Sequence, residues 1–314
     1  MANQSNSRLK VIIDTDIGDD IDDAFALYLA IRSPELDIAG ITTVFKNTYQ
    51  RAQIVANLLR VAGRSDIPVV AGAKRPIVSG KIYGVPIPFD QKPHQFLEEM
   101  SDESVDESMN AAQFIIQTVK ASDTPITLIT LGALTNVAIA LMAAPEIATN
   151  IEKIVIMGGA FDLNISEYNF SCDPEAAHVV LAAGIPTLIV GLDVTFKCEL
   201  SEEQVAALRS SPDPIAGLIM RMREYWDSQH IYLHDPLAVA VAYRQDFVKL
   251  GKRKIDIELK GEYTRGMSIN LSGINWHQDT ENSHIWVCTD VDAAGFTEFY
   301  VNRVLQLNGT GEDN

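Results

Sequence analysis

Apolar and polar positions along this chain follow two rhythms in turn. Short apolar runs alternate with longer stretches of helical spacing over most of the length, the mark of βαβ units and a parallel sheet. Lys10–Asp14 predicts a first strand, and Asp22–Ser33 a helix stopped by Pro34. Asp37–Val44 predicts a strand, Tyr49–Ala62 a helix closing near Gly63, and Ile67–Ala71 a third strand. Residues 74–108 break the rhythm with prolines at 76, 86, 88 and 93 and an acidic stretch, Glu98–Glu107. A long irregular insertion in a compact domain is usually functional, and this one is expected to be a lid or a subunit contact.

The alternation resumes with a helix at Met109–Ala121, a strand at Ile126–Thr130 and a helix at Thr135–Ala143. A strand at Ile154–Met157 runs into Gly158-Gly159 and a polar loop. Asp173 is a good N-cap for a helix at Pro174–Ala183, and Thr187–Leu192 predicts a strand reaching Asp193. Ser201 and Gln204 stand at capping-box spacing, and Pro214–Ser228 predicts a helix carrying Tyr225 and Trp226. His234-Asp235-Pro236 opens another helix, through Tyr243. Residues 253–289 read as antiparallel strands, and Asp292–Leu307 as a closing helix. The fold class is therefore α/β: an open, mainly parallel central sheet flanked by helices, Rossmann-like in its core, with a small antiparallel extension. No low-complexity linker or internal repeat divides the chain. One domain is expected over 1–314, with flexible ends at 1–8 and 308–314.

Composition narrows the partners. The chain is 47% hydrophobic and 21% charged, enough apolar material for a sizeable core, and its net charge is −17. Nucleic acid and anionic membranes require basic patches, so neither is expected as a partner. No apolar run is long enough for a membrane span. The N-terminal residues lack a signal-peptide core, and the three cysteines, 172, 198 and 288, are too far apart for a Cys-x-x-Cys motif. A cytoplasmic protein with reduced thiols is expected.

The densest chemistry lies directly after the first strand. Asp14, Asp16, Asp19, Asp20, Asp22 and Asp23 fall within ten positions around Gly18, just before an apolar helix. One or two aspartates there would simply cap the helix and favour its positive end. Six repel one another unless a cation sits among them, and hard oxygen ligands at that density suit Ca²⁺ or Mg²⁺. Other polar residues also follow predicted strands: Thr42, Thr43 and Asn47, Leu131-Gly132, the segment from Gly158 to Asn169, and Asp193. In a parallel sheet these ends share one edge, where ligands bind. Residues distant in sequence thus converge on one pocket.

Those residues form a wider pattern. Asp14-Thr-Asp16-Ile-Gly18 with Asp22-Asp23-Ala24, Leu131-Gly-x-Leu-Thr135-Asn136, Met157-Gly-Gly, Glu167-Tyr-Asn169, Asp173-Pro-Glu and His234-Asp235-Pro236 occur in an order that resembles the inosine–uridine nucleoside hydrolase family, from about residue 10 to 305. The resemblance implies hydrolysis of the N-glycosidic bond of ribonucleosides to ribose and free base, with a Ca²⁺-bound water as nucleophile. It implies Asp16, Asp23, Asp235 and the carbonyl of Leu131 as metal ligands, with Asp20 as an outer one. Asp22 would be the base that takes the proton from water, and His234 would protonate the leaving base. Asp14, Asn47, Met157, Asn164, Glu167, Asn169 and Trp226 are the expected substrate contacts. Relatives assemble as homodimers or homotetramers and serve purine and pyrimidine salvage.

The first motif is two residues longer than the family's between glycine and the paired aspartates, so two registers exist. Anchoring on Gly18 pairs Asp20 with Ile21, whereas anchoring on the helix start pairs Asp22 with Asp23 and keeps both carboxylates. The family's histidine–glycine segment is missing from residues 80–100, where proline-rich sequence with His94 stands instead. The alternative reading is a nucleoside- or ribose-binding protein with the same metal pocket and little turnover. A calcium-binding structural module lacks the glutamate such loops carry downstream, and a haloacid-dehalogenase-like phosphatase lacks its Gly-Thr pattern.

Overall fold

The computed structural model describes residues 8–78, 80–226, 228–272 and 280–306. The ends expected to be flexible lie outside these residues, apart from Arg8. Strand β1 (Leu9–Thr15) leads into helix α1 (Asp22–Arg32), β2 (Leu36–Thr43), α2 (Thr48–Val61) and β3 (Val69–Ala71). A hairpin, β4 (Lys81–Ile82) and β5 (Val85–Pro86), opens the insertion. Then come α3 (Ala111–Ala121), β6 (Ile126–Thr130), α4 (Thr135–Ala143) and β7 (Ile151–Met157). The short α5 (Tyr168–Cys172) precedes α6 (Pro174–Ala182), β8 (Thr187–Val190), α7 (Leu192–Thr195), α8 (Glu202–Ser210) and α9 (Pro214–Arg223). The chain closes with α10 (His234–Tyr243), β9 (Val248–Lys252), β10 (Ile255–Ile257), β11 (Ser268–Asn270), β12 (Ile285–Val291) and α11 (Ala293–Val304).

Eight strands form the central sheet in the order β3-β2-β1-β6-β7-β8-β12-β9, parallel except where β9 meets β12. The chain winds outward from β1 through β2 to β3, then returns to add β6, β7 and β8 on the other side. The switch point lies between β1 and β6, where Asp14 stands beside Thr130. The crevice beyond the strand ends at such a point is where α/β sheets hold ligands.

Helices α1 and α10 cross the same face of the sheet, and both are buried on nearly every side. Apolar residues all round suit helices sealed between a sheet and an outer helical layer. Helices α3, α4 and α6 cover the opposite face over a second apolar cluster that includes Ile12, Leu128 and Ile154. The central sheet thus presents the first turns of α1 and α10 at one edge.

Two expectations are corrected. The helix from Pro214 ends at Arg223 rather than Ser228, and Trp226 follows in a turn whose amide donates to the Arg223 carbonyl at 2.9 Å. Residues 253–289 are not uniformly antiparallel: β10 and β11 pair that way, but β12 joins the main sheet parallel to β8. Part of the insertion, residues 93–95, docks against the loop after β1. Gln95 is fully buried, with its amide N–H on the Gly18 carbonyl at 3.0 Å and its side-chain Nε2 on the Asp19 carbonyl at 3.3 Å. Gly18, at φ +120°, leaves room for this docking, because a Cβ there would stand 2.7 Å from Pro93 Cβ.

Candidate active site

At the switch point a cavity of about 360 Å³ opens, within the range that holds small-molecule ligands. Its floor is built from the ends of β1 and β6 and the first turns of α1 and α10. Helix α1 begins at Asp22, so Asp22 and Asp23 occupy its first turn, both buried. Asp235 occupies the first turn of α10, and its backbone N–H donates to Asp22 Oδ2 at 3.2 Å. Among the described residues, Asp22, Asp23 and Asp235 are the acids whose carboxylate oxygens converge within 4.8 Å of one another.

Burial and mutual repulsion push all three carboxyls well above the usual range. Thr15 Oγ1 donates to Asp23, which only partly offsets this. Oxygen ligands of a calcium ion at 2.3–2.6 Å lie at most about 5 Å apart, so the spacing and the hard-oxygen donor set fit a divalent cation. Asp16 stands beside the three and lines the same cavity. Burial raises its pKa to about 6, with the Arg51 guanidinium working the other way. Gly132 gives Asp16 its space: a Cβ there would lie 2.9 Å from Asp16 Cβ, Cγ and Oδ1. Asp20 also lines the cavity, with Oδ1 accepting from the Ile21 amide at 2.5 Å.

One wall carries Glu167 and Asn169. The Glu167 carboxylate accepts from the amides of Gly159, Asn169 and Phe170 at 3.0, 2.7 and 2.9 Å, capping α5. Asn169 Nδ2 donates to the carbonyls of Leu131 and Met157 at 2.8 and 3.1 Å. Leu131, Met157, Glu167 and Asn169 all line the cavity. A carbonyl oxygen has a second lone pair, so Leu131 can serve both Asn169 and a cation.

The opposite wall is aromatic. Trp226 and His234 line it, and Phe196 and Tyr232 pack around His234. His234 Nδ1 lies 2.7 Å from Thr195 Oγ1. Its pKa was expected near neutrality, but burial lowers it to about 4, so it is a neutral imidazole at pH 7.

Three expected contacts do not line the cavity. Asp14 is buried beneath it, accepting from Thr42 Oγ1 at 2.5 Å and Asn136 Nδ2 at 2.8 Å, and burial raises its pKa to about 7. Asn47 caps α2, accepting from the Gln50 amide at 3.3 Å. Asn164 sits exposed in the loop after β7, a loop whose Phe161 and Asp162 amides Asp193 holds at 2.8 Å.

Sequence reasoning missed Lys46 and the buried Arg51, the two partners of Asp19. Lys46 Nζ and Arg51 Nη2 reach Asp19 Oδ2 at 2.6 and 2.8 Å. Arg51 also donates to the carbonyls of Asp16, Ile17 and Phe45. The signal was the lengthened motif, whose extra carboxylate needed a partner.

A floor of converging carboxylates between a polar and an aromatic wall suits a metal-dependent hydrolase acting on a small polar molecule. The chain belongs to the inosine-uridine preferring nucleoside hydrolase family, whose model matches residues 11–298. It is 32% identical to the pyrimidine-specific ribonucleoside hydrolase RihA of Salmonella gallinarum, over 94% of this chain and 98% of that one. Similar solved structures include a plant nucleoside hydrolase, PpNRh1, at TM-score 0.81 and 27% identity, covering 95% of this chain and 99% of that one. A purine-preferring ribonucleoside hydrolase from Gardnerella vaginalis matches at TM-score 0.79 and 27% identity, covering 95% of this chain and 98% of that one.

Proposed function

We propose that the protein hydrolyses ribonucleosides to ribose and free base, and that its cation is calcium. The observation that carries this is the convergence of Asp22, Asp23 and Asp235 within 4.8 Å, beside Asn169 and Glu167. The three carboxylates and the Leu131 carbonyl would hold the ion, which when bound supplies a Lewis-acidic seat for ribose hydroxyls and the attacking water. Glu167 and Asn169 orient the ribose, and that fixed geometry lowers the entropic part of the barrier. The anionic floor favours the oxocarbenium-like charge that develops as the glycosidic bond breaks.

For the base we propose Asp16 in place of Asp22. Asp22 is tied into the converging three, whereas Asp16 lines the cavity beside them without being one of the three, which leaves its carboxylate to take a proton from water. His234 acts as a neutral donor: in the tautomer whose Nδ1 accepts from Thr195 Oγ1–H, 2.7 Å away, Nε2–H is left to meet the departing base. The relatives named differ in base preference, and Trp226, Tyr168 and His94, which would read the base, lie on the cavity wall. The proposal extends to a cytoplasmic homodimer or homotetramer in nucleoside salvage. Its supports are the family resemblance, three buried free cysteines and, among the described residues, no helix long and apolar enough to cross a membrane.

Steady release of reducing sugar from uridine or inosine, abolished by chelator and restored by calcium, is the expected result. Saturable nucleoside binding without turnover would favour the binding-protein reading instead. Asp16→Asn should lose about 10²–10⁴-fold in kcat while still binding calcium. Asp22→Asn should bind calcium more weakly and recover turnover as calcium is raised. An active D16N beside a D22N that stays dead at saturating calcium would return the base role to Asp22.

A further inference from the structure

Among the described residues lining the cavity, Lys46 is the lone lysine or arginine, against seven carboxyl side chains. Its backbone is unusual. Phe45 and Lys46 stand consecutively at φ +66° and +57°, a left-handed conformation that glycine adopts freely and bulky residues resist. The surroundings force it: the Phe45 and Lys46 amides donate to the carbonyls of Ala73 and Lys74 at 2.8 and 3.0 Å, and Arg51 Nε holds the Phe45 carbonyl at 2.8 Å.

Strain of this kind gathers where a side chain is needed in one place. The need is not met by Asp19 alone, because the fully buried Arg51 already pairs with that carboxylate. Lys46 Nζ donates one hydrogen bond to Asp19 at 2.6 Å, and an ammonium has three donors. A glycine would relieve the strain and leave Asp19 paired, so the ammonium itself is what the lysine adds.

We propose that Lys46 is a specificity-determining residue that donates a hydrogen bond to an acceptor oxygen of the bound substrate. The acceptor belongs to a neutral molecule, since the surrounding carboxylates repel an anion. On a nucleoside that oxygen is the 5′-hydroxyl or a carbonyl of the base. This rests on the nucleoside hydrolase reading above.

The test compares wild type, Lys46→Gly and Lys46→Met in the calcium-loaded enzyme on uridine, 5′-deoxyuridine, inosine and adenosine. Loss of one charge-assisted hydrogen bond is expected to lower kcat/KM about ten- to a hundredfold, with K46G melting at or above wild type. If the oxygen is the 5′-hydroxyl, the loss on uridine disappears on 5′-deoxyuridine. If it is a base carbonyl, the loss on inosine exceeds that on adenosine. Unchanged rates on all four substrates, or one common factor on all four, would overturn the proposal. Lys46→Met keeps the strained backbone and removes the donor, so it decides the matter should K46G fail to fold. If wild type releases no ribose, the hydrolase reading falls. The same substrate-dependent loss, read then as nucleoside affinity by calorimetry, still decides the role of Lys46.

Discussion

Removing the cation should make the folded chain sensitive to pH in a window set by its buried acids. In the metal-free protein, burial raises Asp16 from 3.8 to about 6, and burial and mutual repulsion move Asp22, Asp23 and Asp235 in the same direction. A carboxyl whose folded pKa exceeds its unfolded value keeps its proton longer when folded. Its contribution to stability is therefore complete below about pH 4 and disappears as pH rises through the folded pKa. For Asp16 the whole effect is about 3 kcal/mol, about half of which falls between pH 5 and pH 8. At about 1.5 °C per kcal/mol for a chain of this length, Asp16 alone lowers the melting temperature by about 2 °C across that interval. The three neighbouring aspartates add to the same trend.

The assay is a thermal melt at pH 5 and pH 8, in chelator and in millimolar calcium. Calcium competes with protons for the carboxylates, so its stabilisation, RT ln(1 + [L]/Kd), should be much larger at pH 8. Asp14, raised to about 7, does not line the cavity and contributes in both conditions, so the difference between the two curves removes it. An equal calcium shift at both pH values would refute the reasoning, as would metal-free melts that coincide.

Two further outcomes test the geometry of the floor and of the aromatic wall. Gly132→Ala places a methyl 2.9 Å from Asp16 Cγ. Turnover should fall by about 10²-fold, the scale of a small misplacement, with a much smaller change in uridine affinity measured by calorimetry; unchanged turnover would show that Asp16 is not held by this contact. His234→Ala should slow inosine hydrolysis more than that of a nitrophenyl riboside, whose leaving group needs no donor, and equal losses on both would remove His234 as the leaving-group donor.

Much of this architecture could be read along the chain, because periodicity reports which faces are buried. Helix α10 runs from His234 to Tyr243 and β6 from Ile126 to Thr130, as the apolar spacing indicated. Local capping chemistry was equally legible: Ser201 and Gln204 form the capping box, and Asp173 caps α6. Contacts made across the fold were not. Asn47 follows a strand as a ligand residue would, yet its side chain satisfies the first turn of α2. Asp14 belongs to the aspartate run by sequence but faces Thr42 and Asn136 on neighbouring elements. Arg51 is one position within the helix predicted from Tyr49, and only the folded chain brings three carbonyls and Asp19 around it.

Arg51 also explains how a lengthened loop can keep the carboxylates in place. The two additional residues between Gly18 and the Asp22–Asp23 pair would otherwise let the start of α1 drift away from β1. Arg51 binds the carbonyls of Asp16 and Ile17 before the lengthening and the Asp19 carboxylate within it. One buried guanidinium thus spans the loop, and its rigid fork satisfies several acceptors at once. The docked Gln95 holds the Gly18 and Asp19 carbonyls from the other side. A buried charge without a partner would be costly, so the fully buried Arg51 guanidinium depends on Asp19, a half-buried carboxylate that Lys46 also meets. The additional acid and the arginine form one structural unit, and that unit places Asp22 and Asp23 opposite Asp235 despite the longer path between them.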